Sequence, residues 1–437
     1  MTLTREDRLR AADQARIAAA RGRGGRAGLL LVFIGPGVLA IVGENDGPSM
    51  LSYAASGAQY GAGFFLPFIV VTFVGAVFVQ NIGVRVGAVT HRGFSELIHQ
   101  RYGRFWGLTA SLDLVLTNLV TIVAELVAIR VGFAFFGIPG WVAVVAAVGL
   151  VALSTFVGSF HRWQSIALGL AAFNLLFLVA AFFCRPDPAA ITKAFVTWTP
   201  FPQGSLSAFL LIAASDIGAT VTPWMLFFQQ SATTDKGLVA TDVRGGSMDT
   251  VIGGVVAVLT GCAALVCAIP LFTHHVTVTA EGGAAYADAL VPLIGPVGPT
   301  LFSLGLIEAG ALAVLTISAS SAYALGELVP GGAHSFNDRG PTSRVFHGAN
   351  IALVLIGGVV TLIPGAPLLS IALNANLLAT VLMPAALVFV LLIARDREVM
   401  GDARLGGVST GVAIAIAVVI TIAGAGYAIV AFVQAIT

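Results

Sequence analysis

The 437 residues are 57% hydrophobic and only 10% charged, with a mean hydropathy of +0.96. An ordinary soluble domain carries about a quarter charged residues, so no soluble core of this size explains the composition. The net charge of +1 gives no reason to expect a nucleic-acid partner, and Cys184, Cys262 and Cys267 show no ligand-like pairing, so they read as small packing residues rather than a disulfide framework or zinc centre.

Residues 1–27 form an Arg-rich tail. Seven arginines fall in the first 26 residues, with no apolar core segment and no small-residue cleavage site, so the stretch reads as a cytosolic tail rather than a signal peptide. Apolar runs long enough to cross the hydrocarbon follow at 28–58, 63–87, 105–136, 140–158, 163–184, 206–232, 248–273, 297–327, 345–364, 367–394 and 408–435. Residues 28–184 hold five spans, 206–394 hold five more, and 408–435 is an additional eleventh. With the N-terminus inside, the cytosolic segments carry nineteen of the twenty-two basic residues. Only Arg185 and Lys193 lie in outer loops, and Arg130 sits near the outer end of the third span. That asymmetry is what the positive-inside rule demands, and it places the chain in the cytoplasmic membrane with its C-terminus outside.

Two spans break their own apolar pattern. The first contains Gly43-Glu44-Asn45-Asp46-Gly47-Pro48-Ser49, and the sixth contains Asp216-Ile217-Gly218-Ala219-Thr220-Val221-Thr222-Pro223-Trp224. Proline removes a backbone donor, and glycine tolerates the unwound geometry that results. A broken helix in lipid survives only where its freed backbone groups face protein, water or an ion. Ionisable groups at that depth are costly and usually functional. The breaks lie in the first and sixth spans, five apart in order, so two inverted five-helix repeats, each opening with a discontinuous helix, bring both to one midplane site. No obvious residue identity links the halves, and the repeat is inferred from the spacing of the breaks alone. A single Gly-Pro kink commonly binds nothing; two at matching positions, one holding Asp46, favour a site.

These segments resemble the natural-resistance-associated macrophage protein (NRAMP) family of divalent-metal transporters. The matching stretches are Gly35-Pro36-Gly37 through Ser49, Ser56-Gly57-Ala58-Gln59-Tyr60-Gly61, and Gly218-Ala219-Thr220-Val221 followed by Pro223. The resemblance implies an all-α integral membrane protein of about eleven helices, with the leucine-transporter type of inverted five-plus-five repeat and broken helices 1 and 6. The family's first helix carries Asp-Pro-Gly-Asn, in which the Asp and Asn bind the ion. Asp46 matches the Asp, Gly47-Pro48 inverts the next two residues, and Ser49 stands where the Asn would be. The family's sixth helix carries Met-Pro-His, with the Met thioether and an upstream Ala carbonyl as ligands. Ala219 matches the carbonyl donor, whereas Thr222 replaces the Met, Trp224 the His, and Gln229 a second histidine. Glu125 matches the first of two acidic residues on the family's proton route, Ala128 replaces the second, and Asn376 aligns with a polar residue bordering the site.

The substitutions change the chemistry that the resemblance implies. A thioether favours transition metals, whereas carboxylate, hydroxyl, carbonyl and water oxygens suit Mg²⁺ and Mn²⁺. The donors expected here, Asp46, Ser49, Thr222 and the Ala219 carbonyl, are all oxygen, and neither break contains cysteine or histidine. Mg²⁺ keeps several waters around one or two carboxylates, and small Ser and Thr side chains leave room for them. The pattern is therefore similar to the NRAMP-related magnesium transporters, with Mn²⁺ as a co-substrate and no cofactor. Glu44, two residues before Asp46, would face away by about 200° on intact helix; unwinding turns it inward or toward a water-filled vestibule. Asn45 flanks the same site, and Asp216 adds negative potential before the second break. Glu308 reads better as a structural partner hydrogen-bonded in the bundle. All seven histidines fall in loops or at helix ends. With Trp224, Gln229 and Ala128 in place of titratable family residues, transport without proton symport is expected, by a monomer. The alternatives are a proton-coupled Mn²⁺/Fe²⁺ symporter and a carrier of a small organic substrate such as an amino acid; no nucleophile-base pair or phosphate loop suggests an enzyme.

Overall fold

A computed structural model describes residues 33–199, 205–278, 285–329, 335–338, 343–365 and 368–436, with residue 15 besides. The tail at 1–27, residue 15 apart, and the start of the first span lie outside these residues. Within them the secondary structure is helical throughout. Among the described residues, nine helical stretches are long and apolar enough to cross a bilayer, and the 17-residue Gly140–Phe156 is a shorter tenth. The divided first span supplies the remaining crossing.

The first span consists of α1 (Pro36–Val42) and α2 (Gly47–Tyr60). It is followed by α3 (Phe65–Thr90), α4 (Phe94–Tyr102), α5 (Arg104–Phe135), α6 (Gly140–Phe156), α7 (Phe160–Ala171) and α8 (Leu176–Phe183). A 3₁₀ turn, Ala172–Leu175, interrupts the fifth span between α7 and α8, an irregularity that no glycine or proline marks. Then come α9 (Pro188–Thr197), α10 (Leu206–Gly218), α11 (Pro223–Asp235), α12 (Val243–Thr273), α13 (Ala285–Ile294), α14 (Val297–Gly326), α15 (Arg344–Thr361), α16 (Leu368–Arg395), α17 (Arg397–Met400) and α18 (Gly407–Ile436). The short helices α4, α9, α13 and α17 occupy stretches expected to be loops. In α4, Phe94, Leu97 and Ile98 are buried while Arg101 turns out to pair with Asp396 at 2.5 Å and Glu398 at 2.6 Å. A nine-residue amphipathic helix is too short for a spanning-length search to detect.

The halves of the broken helices form the middle of the bundle. α12 packs along both α1 and α2, α5 and α14 pack on each other and on α2, and α16 lies against α10 and α2. The eleventh span, α18, covers α16 and α10 from outside. Its residue Val408 is 85% exposed, as Leu153 of α6 is 74% exposed, which suits lipid contact and not water.

The start of α1 shows how a short helix is held in a medium without water. No local side chain caps it. Instead Asp249 of α12 accepts from the backbone N–H groups of Gly35 at 3.0 Å, Gly37 at 2.6 Å and Val38 at 3.2 Å. Lys236 donates to the carbonyls of Phe33 at 2.8 Å and Ile34 at 2.9 Å. Backbone groups at and just before the helix start are thereby satisfied from residues some two hundred positions away.

Candidate metal site

The first break is only residues 43–46. Pro48 does not interrupt a helix, as its place in the sequence suggests; it sits in the first turn of α2, where its missing N–H costs nothing. Asp46 is the N-cap residue, and its Oδ1 accepts from the Ser49 N–H at 2.8 Å. The other carboxylate oxygen, Oδ2, and the Ser49 hydroxyl are buried without a hydrogen-bond partner. Glu125 reaches in from α5, its Oε2 accepting from the Gly47 N–H at 3.1 Å. It stands beside Asp46, and its Oε1 also has no hydrogen-bond partner. Glycine is required at position 47 because a Cβ there would stand 2.2 Å from that of Ala128.

The second break, residues 219–222, separates α10 from α11, whose N-cap is Thr222 and whose first residue is Pro223. The Thr222 hydroxyl donates to Glu44 Oε1 at 2.5 Å. The Tyr53 hydroxyl of α2 donates to the Ala219 carbonyl at 2.9 Å. Those two bonds join the breaks. Glu44 therefore faces the second break, because residues 43–46 do not follow the helical rotation that would have turned it away. Its Oε2 is a further buried oxygen without a partner. Glu44, Asp46, Ser49, Ala219 and Thr222 are each at most 3% exposed, so the site is closed to both sides.

The remaining candidates divide. Asn376 of α16 adjoins the second break, since a Cβ at Gly218 would lie 1.9 Å from its backbone oxygen. Its side-chain Nδ2 is buried and unpartnered. The edge of the Trp224 ring packs on Gly43, and its carbonyl accepts from Ser320 at 3.0 Å. Asn45 points to α12, donating to the Ala257 carbonyl at 2.7 Å and Thr260 at 2.6 Å. Asp216 uses both oxygens to bind Ser52 at 2.7 Å and Ser56 at 2.6 Å, tying α10 to α2. Gln229 lies against α3 at Gly83 and donates to Thr233 at 3.4 Å. The sequence reading did not single out Tyr53. The signal was present, since a residue seven positions after Asp46 lies on the same face of α2.

Glu44, Asp46 and Glu125 form no ion pair with a basic side chain among the described residues. Nor, among those residues, do three His, Cys, Asp or Glu side chains converge closely enough to hold an ion alone. The donors on offer are mixed: carboxylate, hydroxyl and carbonyl oxygen. Such a set suits a hard cation.

Broken helices facing each other within a multi-pass bundle define a membrane transporter with leucine-transporter architecture. The family described as natural resistance-associated macrophage protein-like matches residues 37–430, and the chain belongs to it; it is a transporter and not an enzyme. The divalent metal cation transporter MntH of Deinococcus radiodurans is 28% identical over 404 residues, 88% of this chain and 87% of that protein. MntH of Bacillus subtilis is 25% identical over 293 residues, 64% of this chain and 67% of the relative. Among solved structures, the Eremococcus coleocola manganese transporter with an aromatic bis-isothiourea compound has a TM-score of 0.73 at 20% identity, covering 91% of this chain and 86% of that one. MhsT in complex with L-phenylalanine has the same fold with a TM-score of 0.57 at 12% identity, covering 89% and 96%.

Proposed function

We propose that this protein carries divalent metal ions across the cytoplasmic membrane by alternating access, with Mg²⁺ the preferred ion and Mn²⁺ a co-substrate. The observation that carries the reading is the bond from Thr222 to Glu44, which sets the second break against a first break rich in partnerless oxygens. Asp46 and Ser49 supply direct ligands, the Thr222 hydroxyl and the Ala219 carbonyl complete the protein's share, and water fills the rest. The curated relatives are divalent-metal transporters, which supports the cargo class. The preference for Mg²⁺ rests on the donor chemistry, since no thioether, thiol or imidazole belongs to either break. An amino-acid cargo is disfavoured because Glu44 and Asp46 would repel its carboxylate.

Transport runs down the electrochemical gradient of the metal in a monomer whose N-terminus is cytosolic. An inward-negative potential supplies about 4.6 kcal/mol per 100 mV to a divalent ion. Trp224 and Gln229 occupy positions that titratable side chains would need, and neither takes up a proton near neutral pH. One observation favours proton coupling instead: the Glu125 carboxyl beside Asp46, where a proton and a metal compete for neighbouring oxygens. Proteoliposomes loaded with a pH indicator decide between them. Uptake of Mg²⁺ and Mn²⁺ at constant internal pH is expected; acidification that accompanies metal entry overturns the uncoupled mechanism. Uptake of Cd²⁺ or Fe²⁺ with exclusion of Mg²⁺ overturns the ion assignment.

A further inference from the structure

A second polar cluster lies beside the first break and shares with it only the Asn45 backbone carbonyl. Its centre is Glu308, in the middle of α14. This carboxyl is 6% exposed, its Oε1 has no hydrogen-bond partner, and among the described residues no basic side chain pairs with it. Its Oε2 accepts from the Asn174 amide at 3.3 Å. The same Asn174 nitrogen donates to the Asn45 backbone carbonyl, also at 3.3 Å. Asn174 and Asn45 are fully buried. Asn174 comes from the 3₁₀ turn that interrupts the fifth span, so three irregular or charged places on three separate spans meet at one point.

The Asn174 bonds are loose. An N–H···O bond is ordinarily about 2.9–3.0 Å long; here each of the two NH₂ hydrogens has its own acceptor at 3.3 Å, while the amide oxygen, Oδ1, has no partner. A side-chain amide presents oxygen in place of nitrogen after a half-turn. That turn brings a carboxylate oxygen, an amide oxygen and a main-chain carbonyl together, with the amide oxygen 3.3 Å from the other two. Oxygens about 3.4 Å apart form the edge of an octahedron around a cation whose ligands lie about 2.4 Å away, the range of Ca²⁺, whose ionic radius Na⁺ shares. The charge then chooses between them. The cluster carries one carboxylate and two neutral donors, so a monovalent ion cancels its charge, whereas a divalent ion leaves an uncompensated positive charge in a low-dielectric interior.

We propose that Glu308, Asn174 and the Asn45 carbonyl form a Na⁺ site, separate from the divalent-metal site, that holds the first break in its unwound shape. Glu308 thereby has a role beyond the hydrogen-bonded partner expected from sequence. The assignment does not depend on which divalent ion is carried, and its test is done without one. Purified full-length protein is unfolded thermally in detergent or nanodiscs, in metal-free buffer, with NaCl replaced stepwise by choline chloride or KCl at constant ionic strength. A ligand that binds only the folded state raises the melting temperature with concentration. The wild type is expected to show a saturable rise in Na⁺ and none in choline, with K⁺ at least tenfold weaker. Glu308→Gln keeps the shape and removes the charge, and Asn174→Ala removes the amide; each should melt cooperatively and lose the Na⁺ response. Wild-type melting that is the same in Na⁺ and choline overturns the proposal, as does an undiminished Na⁺ response in Glu308→Gln. Should both variants fail to fold, direct ²²Na⁺ binding to the wild type decides: no saturable binding overturns it.

Discussion

The two breaks differ in kind. The first gathers Glu44 and Asp46 and borrows Glu125 from α5, and the three carboxyls retain oxygens without partners. The second contributes no charge at the junction: its one acid, Asp216, is tied to Ser52 and Ser56, leaving a hydroxyl and a carbonyl to face the first break. In the proposed mechanism, attraction of a cation therefore originates in one broken helix and discrimination between cations in the other. Their attachment differs as well. The first is held at its N-terminal end by Asp249 and Lys236, whereas the second is held to its partner through Thr222 and Tyr53, bonds within the site itself.

The comparison breaks most severely if charge at the first break proves dispensable. Asp46→Ala should lower Mg²⁺ uptake in proteoliposomes by more than about 100-fold, the upper end of what losing a supporting metal-site partner costs. The protein should remain extractable and monodisperse, because Asp46 gives the fold only one capping bond. Uptake near the wild-type level would remove the site from the first break. Glu44→Gln sharpens the point, since glutamine keeps an acceptor for the Thr222 hydroxyl and removes the charge. A loss of about tenfold in uptake is expected, in the range for outer-shell partners of metal ligands. An unchanged rate would make Glu44 a positioning acceptor alone.

The second break should answer to softness instead of charge. Thr222→Met places a thioether where the hydroxyl meets Glu44 and should move the Cd²⁺ to Mg²⁺ affinity ratio toward Cd²⁺ by about tenfold, or about 1.4 kcal/mol. Titration calorimetry of both ions on the variant checks it. No gain for Cd²⁺ would mean that position 222 does not face the ion.

Much of this division was legible in the sequence. The spans and both breaks follow from apolar run length and Gly-Pro placement, which are local properties, whereas the oxygen-only donor set comes from the family resemblance and stays a proposal. The direction of Glu44 was not legible, because a rotation of about 100° per residue applies only to intact helix. Glu125 was visible as an acid inside a span, yet its bond to the Gly47 N–H joins positions 78 apart. The capping of α1 by Asp249 crosses 212 positions at Gly37, and no periodicity records such a pairing. The interruption at Ala172–Leu175 contains neither glycine nor proline, so the signal that revealed the other two breaks was missing.

The smallest expected effect concerns the bond that joins the breaks from the uncharged side. Tyr53 is fully buried, and its hydroxyl occupies one of the two lone pairs of the Ala219 carbonyl. Tyr53→Phe removes that donor and nearly preserves the ring volume, so stability should fall by about 1 kcal/mol, the usual worth of a hydrogen bond. Thermal unfolding of the variant measures this. The carbonyl, meanwhile, gains a free lone pair beside the cation. If the ion takes its oxygen from Ala219, affinity for Mg²⁺ should hold or rise while stability falls, and the two readouts separate. A parallel loss of both would show that Tyr53 fixes the spacing of the breaks and that Ala219 contributes its carbonyl to the fold alone, leaving Thr222 as the sole donor from the second broken helix.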